Sequence, residues 1–339
     1  GTTMRWYAAC FPSMFALVIT WQSLGLVESR GDARLLDLPA RFMWGWAPAV
    51  SGYCGSASIQ TVALYYGNWL TQDVVRGSTG GLDATHEILL GNSSCCSAVK
   101  AATHFKLRVS EWKDWQMPQP QSDAFVAWMK DAVDVGAPVV FGVYMTVESD
   151  ADFDHIVPLV GYDEIAIYFN DLYFNQTLRA PLRDFVKSRS ECRGVREHEG
   201  ASSYCLPRHV DYGFRVLGNL DPLGELLPVR LAMSSNHEPD YSEEDARHAR
   251  PTFLAADVAV SGLSPGKRYA LLRYTDIDSI PADGEFLAKF VASGSTPEAY
   301  FDGSSSGTWH MRVTFESNST QFFRCVAAGA ETFGGEQYA

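Results

Sequence analysis

The chain has 339 residues, 46% of them hydrophobic, and a formal net charge of −13. That much apolar material suffices for one large domain or two ordinary ones and excludes a disordered chain. The acidic balance, with no clustered basic surface to neutralise phosphates, excludes nucleic acid as a partner.

Met4 and Arg5 precede an uncharged run from Trp6 to Val27, followed by Glu28 and Ser29. A charged start, an apolar stretch and a small-residue end predict a secretory signal over residues 1–29, removed near Ser29. An uncleaved anchor is the competing reading, weakened by Pro12, Gln22, Ser23 and Gly25. No later segment holds about 18 uninterrupted apolar residues, so no membrane contact is expected after cleavage. A secreted or endomembrane-lumen location follows, and Asn-x-Ser/Thr sites at Asn92, Asn175 and Asn318 suit glycosylation on that route. Cys10 leaves with the signal.

Beyond the leader, the aromatic "RFMWGWAPAV" runs into "SGYCGSASIQTVALYYG". There Ile59, Val62, Ala63 and Tyr66 recur at i, i+3, i+4 and i+7, predicting a helix that Gly67 ends and that Cys54 begins or just precedes. A second helix is predicted from Ser122 as N-cap through Phe125, Val126, Met129 and Val133 to Gly136. Three strand-like runs follow, "APVVFGVYM", "HIVPLVGYD" and "EIAIYFNDLYF", and Pro158 directs the second to an edge or a bulge. Helix first and strands after predict an α+β domain, the helix packed on an antiparallel sheet, with "VDYGFRVLGNL" as its last strand.

Cys192 and Cys205 flank the loop-like "RGVREHEGASSY" and are expected to form a disulfide, ahead of a metal site that would add His209. Cys95 and Cys96 are adjacent and pair poorly with each other, which leaves one of them to reach Cys325 or remain a thiol. The charged "HEPDYSEEDARHARP" reads as an exposed linker. After it, "FLAADVAVSGL", "KRYALLRYTD", "GEFLAKFVASG" and "TWHMRVTFES", separated by turn residues, predict four strands of a small all-β sandwich. The expected division is 1–29 signal, 30–222 first domain, 223–250 connecting segment, 251–328 sandwich and 329–339 flexible tail.

Cys54 at a helix start is the first candidate for chemistry, because unpaired N–H groups and the helix dipole favour a thiolate there. Taken alone, such a cysteine is more often a small buried residue. His155 opens the next informative strand, and Asn170 and Asp171 end the one after, giving the order nucleophile, base, orienter. His86 and Glu87 lack a second histidine at Leu90 for a zinc-peptidase motif. Trp112, Trp115, Trp128 and Tyr144 read as core or cleft wall.

Together "GYCGSASIQTVALYYG", "DHIVPLVGYD" and "YFNDLY" resemble the papain-like superfamily of cysteine peptidases, most closely its bacteriocin-processing branch, cysteine-peptidase family 39, over roughly Trp44 to Tyr173. The resemblance implies Cys54 as nucleophile, His155 as general base and Asp171 as orienting group, with Asn170 competing for the last role. It implies a peptide or protein substrate and no cofactor. The sequence departs from the family pattern at Pro48, where a glutamine that donates to the oxyanion is usual. Loss of such a donor costs on the order of a hundredfold in rate, leaving the Cys54 N–H and the Trp46 indole as substitutes. An inactive binding protein and an acyl transferase are therefore the alternatives. In the C-terminal part, "VSGLSPGKRYALLRY" resembles the tyrosine-corner region of fibronectin type III domains through Leu263, Pro265 and Tyr269.

Overall fold

The computed structural model describes residues 33–43, 52–79, 88–90, 96–147, 150–173, 175–192, 204–234 and 253–329, with backbone alone at 146–147 and 150–154. The expected signal, His86, Glu87, Asn92, Cys95, Trp46, Pro48, the charged linker and most of the tail lie outside the described residues.

Strand β1, Arg34–Leu35, is followed by helix α1, Cys54–Tyr65. The predicted apolar face lies on α1, yet all 12 of its residues are buried, so other elements surround it instead of covering one side. Gly67 ends it at φ +75°, its N–H reaching Leu64 O at 3.1 Å, a left-handed turn that glycine makes without steric cost. Strand β2, Asn68–Trp69, helices α2, Gln72–Gly77, and α3, Ala98–His104, and strand β3, Leu107–Glu111, come next.

Helix α4, Ser122–Asp134, buries Phe125, Val126, Met129, Ala132 and Val133. Ser122 is its first helical residue and not its N-cap; the cap position is Gln121, which makes no side-chain cap bond. The reason is backbone: the Gln121 and Ser122 N–H groups are met by His209 O and Arg208 O at 3.3 and 3.4 Å, so no hydroxyl cap is needed.

The large sheet is made by β4, Val139–Val147, β5, Asp150–Tyr162, β6, Ala166–Asp171, and β7, Gln176–Pro181. A short helix α5, Leu182–Phe185, and strands β8, Val186–Lys187, β9, Tyr204–Pro207, and β10, Gly213–Asn219, follow. Strand order is β3-β10-β4-β5-β6-β7, with β1 on β5, β9 on β4, and β8 parallel to β9. The last strand in sequence, β10, thus lies inside the sheet. Pro158 is not on an edge, since β5 is central; it faces Val140 of β4, and pairing with β6 begins only at Leu159, beside a register shift before Gly161. The missing N–H therefore falls where no β6 partner is in register.

The C-terminal part contains β11, Val229–Met233, β12, Phe253–Ser261, β13, Arg268–Tyr274, helix α6, Phe286–Ala292, β14, Ala299–Asp302, β15, Thr308–Glu316, and β16, Gln321–Ala327. Strand β11 falls within the stretch expected to connect the two parts. The expected strand "GEFLAKFVASG" is instead α6: Phe286 and Phe290, one helical turn apart, are its buried residues, a helical and not an alternating pattern. The Tyr269 hydroxyl accepts the Ser264 N–H at 2.8 Å.

One sheet is β11-β12-β15 and the other β14-β13-β16-β2. The edge strand of the second comes from just after α1, where Asn68 and Trp69 pair with Phe322 and Gln321. Trp69 is fully buried among Val258, Val260, Phe315 and Phe323. A second core joins Cys54, Ile156 and Phe214 to Leu272, Phe286 and Phe322, so the described residues form one compact unit. The α+β class holds, with a β-rich C-terminal part.

Asp211, between β9 and β10, is fully buried, and no described residue hydrogen-bonds either carboxylate oxygen. Desolvation pushes it up to about 8 from an ordinary value of 3.8. Between those values the folded chain binds a proton that the unfolded chain has released, so stability should fall as pH rises through the window. Asp211→Asn removes this titration: in thermal melts, the variant's Tm relative to wild type should rise by several degrees between about pH 5 and about pH 8. An unchanged difference would show that Asp211 does not titrate in this window.

Candidate active site

Cys54 is the first residue of α1, a thiol only 7% exposed. Its approach is fixed on both sides. The Tyr53 hydroxyl donates to Asp73 Oδ1 at 2.5 Å and the Arg76 guanidinium lies 4.4 Å above the Tyr53 ring, tying the preceding residue to α2. At Gly55 a Cβ would fall 2.7 Å from Ile88 Cβ and 2.8 Å from Ile88 O, so only glycine lets the 88–90 segment pass this close to the first turn. One turn further on, Ser58 Oγ donates to Ile156 O at 3.0 Å. That bond sets the Cys54 end of α1 against β5 beside His155.

His155 is fully buried and lies within β5, not at its start; it pairs with Val143 of β4. Directly past this pair the register shifts before Met145, and such irregularities re-aim side chains at sheet rims. Two aromatic rings lie nearly parallel to the imidazole: Tyr173 at 4.6 Å between centroids and 20°, and Tyr204 at 5.4 Å and 17°.

Asp171 is the last residue of β6 and fully buried. Its Oδ1 accepts the Tyr173 N–H at 2.8 Å and the Tyr204 hydroxyl at 3.2 Å. Because Leu159 of β5 faces Phe169 of β6, counting by twos along each strand sets His155 and Asp171 on the same face of the sheet. Asn170 points to the other face. There its Nδ2 donates to Pro39 O at 3.1 Å and Leu38 O at 3.4 Å, and its Oδ1 accepts the Thr177 hydroxyl at 2.8 Å.

Tyr204 links these groups. Its phenol is held above its ordinary value by burial first, then by the Asp171 and Tyr173 charges and the Asp171 hydrogen bond, and lastly by Cys54. Cys54 is thus within electrostatic reach of a tyrosine that stacks on His155 and bonds Asp171. Neither Tyr204 nor Tyr173 stands out in the sequence as a site residue. The one available signal was adjacency: Tyr204 precedes Cys205, already singled out for a disulfide.

Cys192 and Cys205 are disulfide-bonded and both fully buried, which occupies the two sulfurs that the metal alternative required. Cys325 is a buried thiol pushed up to about 12 by desolvation, so Cys96 does not pair with it. Asn318 is exposed in the turn after β15, and Asn175 takes a left-handed φ of 51° before β7. Trp112 packs on Phe125 and Trp128, whereas Trp115 is 57% exposed beneath the Lys113 ammonium, and so is not core. Among the described residues no three His, Cys, Asp or Glu side chains cluster as metal ligands.

The chain thus sets Cys54 at the start of a buried helix, against a sheet that carries His155 and Asp171 on one face. Residues 36–189 match the family model described as the Peptidase_C39 like family, which makes this part of the chain similar to that family. No curated protein and no solved structure matches the chain. The family match stops short of Cys192, Tyr204 and Cys205.

Strand β9 is held by its pairing to β4 and β8 and by the Cys192–Cys205 bond. With a sequence separation of 13, that bond should contribute roughly 2–4 kcal/mol. Denaturant unfolding of the Cys192→Ser, Cys205→Ser double variant should show a loss of that order; no loss would mean that pairing alone secures β9.

Proposed function

We propose that the chain is a thiol hydrolase acting on a peptide or related amide. The Cys54 sulfur attacks the carbonyl, His155 takes the thiol proton and passes it to the leaving amine, and water then releases the acyl group. Asp171 orients the imidazole. Asn170 is assigned a structural part, because its amide is committed to Leu38, Pro39 and Thr177 on the opposite face. The observation that carries this reading is the packing of the Cys54 end of α1 against β5 at Ile156, next to a buried His155 on the face that holds Asp171.

Two features support the thiol as the reacting group. The start of a 12-residue helix favours an anion through its dipole. The flat rings of Tyr173 and Tyr204 favour a cationic imidazole partner through their faces. The buried disulfide supports a secreted or luminal setting. No helix of the described residues is long and apolar enough to cross a membrane. The C-terminal sandwich is read as an accessory part that supports α1 through β2 and β11.

Alkylation by iodoacetamide near neutral pH tests the site. Cys54 should label rapidly, and His155→Ala should slow it by about a hundredfold; slow labelling independent of His155 indicates a binding protein without turnover. Asp171→Asn should slow labelling by about tenfold or more, whereas Asn170→Ala should leave the rate near wild type and lower stability by roughly 1–3 kcal/mol. The reverse ranking would make Asn170 the orienting group. A peptide library incubated with wild type and Cys54→Ala, with and without added amine, separates hydrolysis from acyl transfer.

A further inference from the structure

The site contains one side chain that the proposed steps do not use and that lies outside the family match. Tyr204 reaches from β9 across β4, which separates it from β5 in the sheet, to place its ring on His155 and its hydroxyl on Asp171 of β6. It is 2% exposed. A buried hydroxyl needs a partner, and the acceptor here is the oxygen of Asp171 that the Tyr173 N–H also meets. Two donors on one oxygen hold the carboxylate in a single orientation and favour its charged form. The ring, together with Tyr173, restricts rotation of the imidazole between the flat faces.

We infer that Tyr204 is a positioning residue of the thiol site, fixing the Asp171 carboxylate through its hydroxyl and the His155 imidazole through its ring. The inference rests on the thiol-hydrolase reading and extends it past residue 189, so the site is completed by a strand that the family match does not include. Tyr204 is not itself a base. Burial and the neighbouring Asp171 charge keep its proton on the phenol, so it acts as a donor wherever Asp171 is ionised. The groups that face it are Asp171 at the end of β6, Tyr173 just after it, His155 on β5 and Cys54 on α1. The Cys192–Cys205 bond lies next to Tyr204 in the chain, which gives the disulfide a reason to be at this end of the sheet.

Tyr204→Phe keeps the ring and deletes the hydroxyl. The iodoacetamide rate of Cys54 is measured against pH in wild type, Tyr204→Phe, Asp171→Asn, the Tyr204→Phe, Asp171→Asn double variant and His155→Ala. Without its donor Asp171 protonates more readily, so Tyr204→Phe should slow labelling about tenfold near pH 6 and move the acid limb up by about half a pH unit or more. On the Asp171→Asn background the same change should add little, since both act through one contact. A Tyr204→Phe profile that superimposes on wild type, with His155→Ala slow, overturns the positioning role and leaves the hydrolase reading standing. A wild-type rate no faster than that of His155→Ala overturns the hydrolase reading and this role with it. If Tyr204→Phe does not fold, 3-fluorotyrosine incorporated at residue 204 keeps the ring and strengthens the donor: an acid limb moved down in pH supports the role, and a profile that superimposes on wild type overturns it.

Discussion

The complete burial of α1 is the constraint on which the other features depend. A helix with 12 of 12 residues buried cannot rest on one surface; it must be surrounded, and every neighbour becomes part of its support. The sheet supplies one side through β5, α2 and α3 supply others, and the sandwich closes the far end through β2 and β11. Four polar side chains inside this shell are tied off, Ser58 to Ile156 O, Gln60 to Leu70 O, and Arg41 and Gln72 to Gln60, whereas Ser56 Oγ and Thr61 Oγ1 meet no partner among the described residues. Buried polar groups are costly when unmet, so these bonds fix the helix axially as well as laterally. Cys54, at one end of this rod, inherits that fixed position.

The other end of the rod explains why the sandwich and the peptidase-like part share cores. Gly67 turns the chain directly into β2, whose Trp69 is buried in the sandwich. Polar contacts reinforce the junction. Arg324 of β16 donates to Asn68 Oδ1 at 2.7 Å, Asn68 donates to Asn219 of β10 at 3.1 Å, and Asn219 donates back to Tyr66 O at 2.8 Å. Arg324 is 1% exposed, so little water reaches this seam, and the same burial holds its guanidinium below the ordinary value. Displacing the sandwich would expose Trp69 and strip an acceptor from a buried cation, either of which costs more than a surface contact would.

How far the sequence reveals this depends on whether the deciding contact is local. The spacing of Ile59, Val62, Ala63 and Tyr66 gives α1 and its stop at Gly67 because helical periodicity is a property of neighbours along the chain. The three strand-like runs before Asp171 are legible for the same reason. The run around Phe286 misleads, since a short apolar cluster between turn residues looks alike as strand or helix, and only the joint burial of Phe286 and Phe290 separates them. Ser122 looks like a cap until His209 O and Arg208 O arrive from a distant segment to do that work. Strand β2 has two residues and no pattern of its own; it exists because β16 offers it an edge.

The site divides along the same line. Cys54, His155 and Asp171 are legible because each sits at a definable place on a locally coded element. What distinguishes Asp171 from Asn170 is not legible from residue type, as either side chain can orient an imidazole. The difference lies in strand alternation, which puts Asp171 on the face of His155, where it accepts the Tyr204 hydroxyl, and Asn170 on the face of Thr177. Tyr204 carries no signal beyond its adjacency to Cys205, because its two partners lie on β5 and β6 while it rides on β9. Its placement requires the sheet to be assembled, with β9 held to β4 and closed by a disulfide. The proposed site joins a position set by helix burial, Cys54 at the start of α1, to positions set by sheet register, His155 and Asp171, and the Tyr204 side chain stacks on the first of these strand residues and bonds the second.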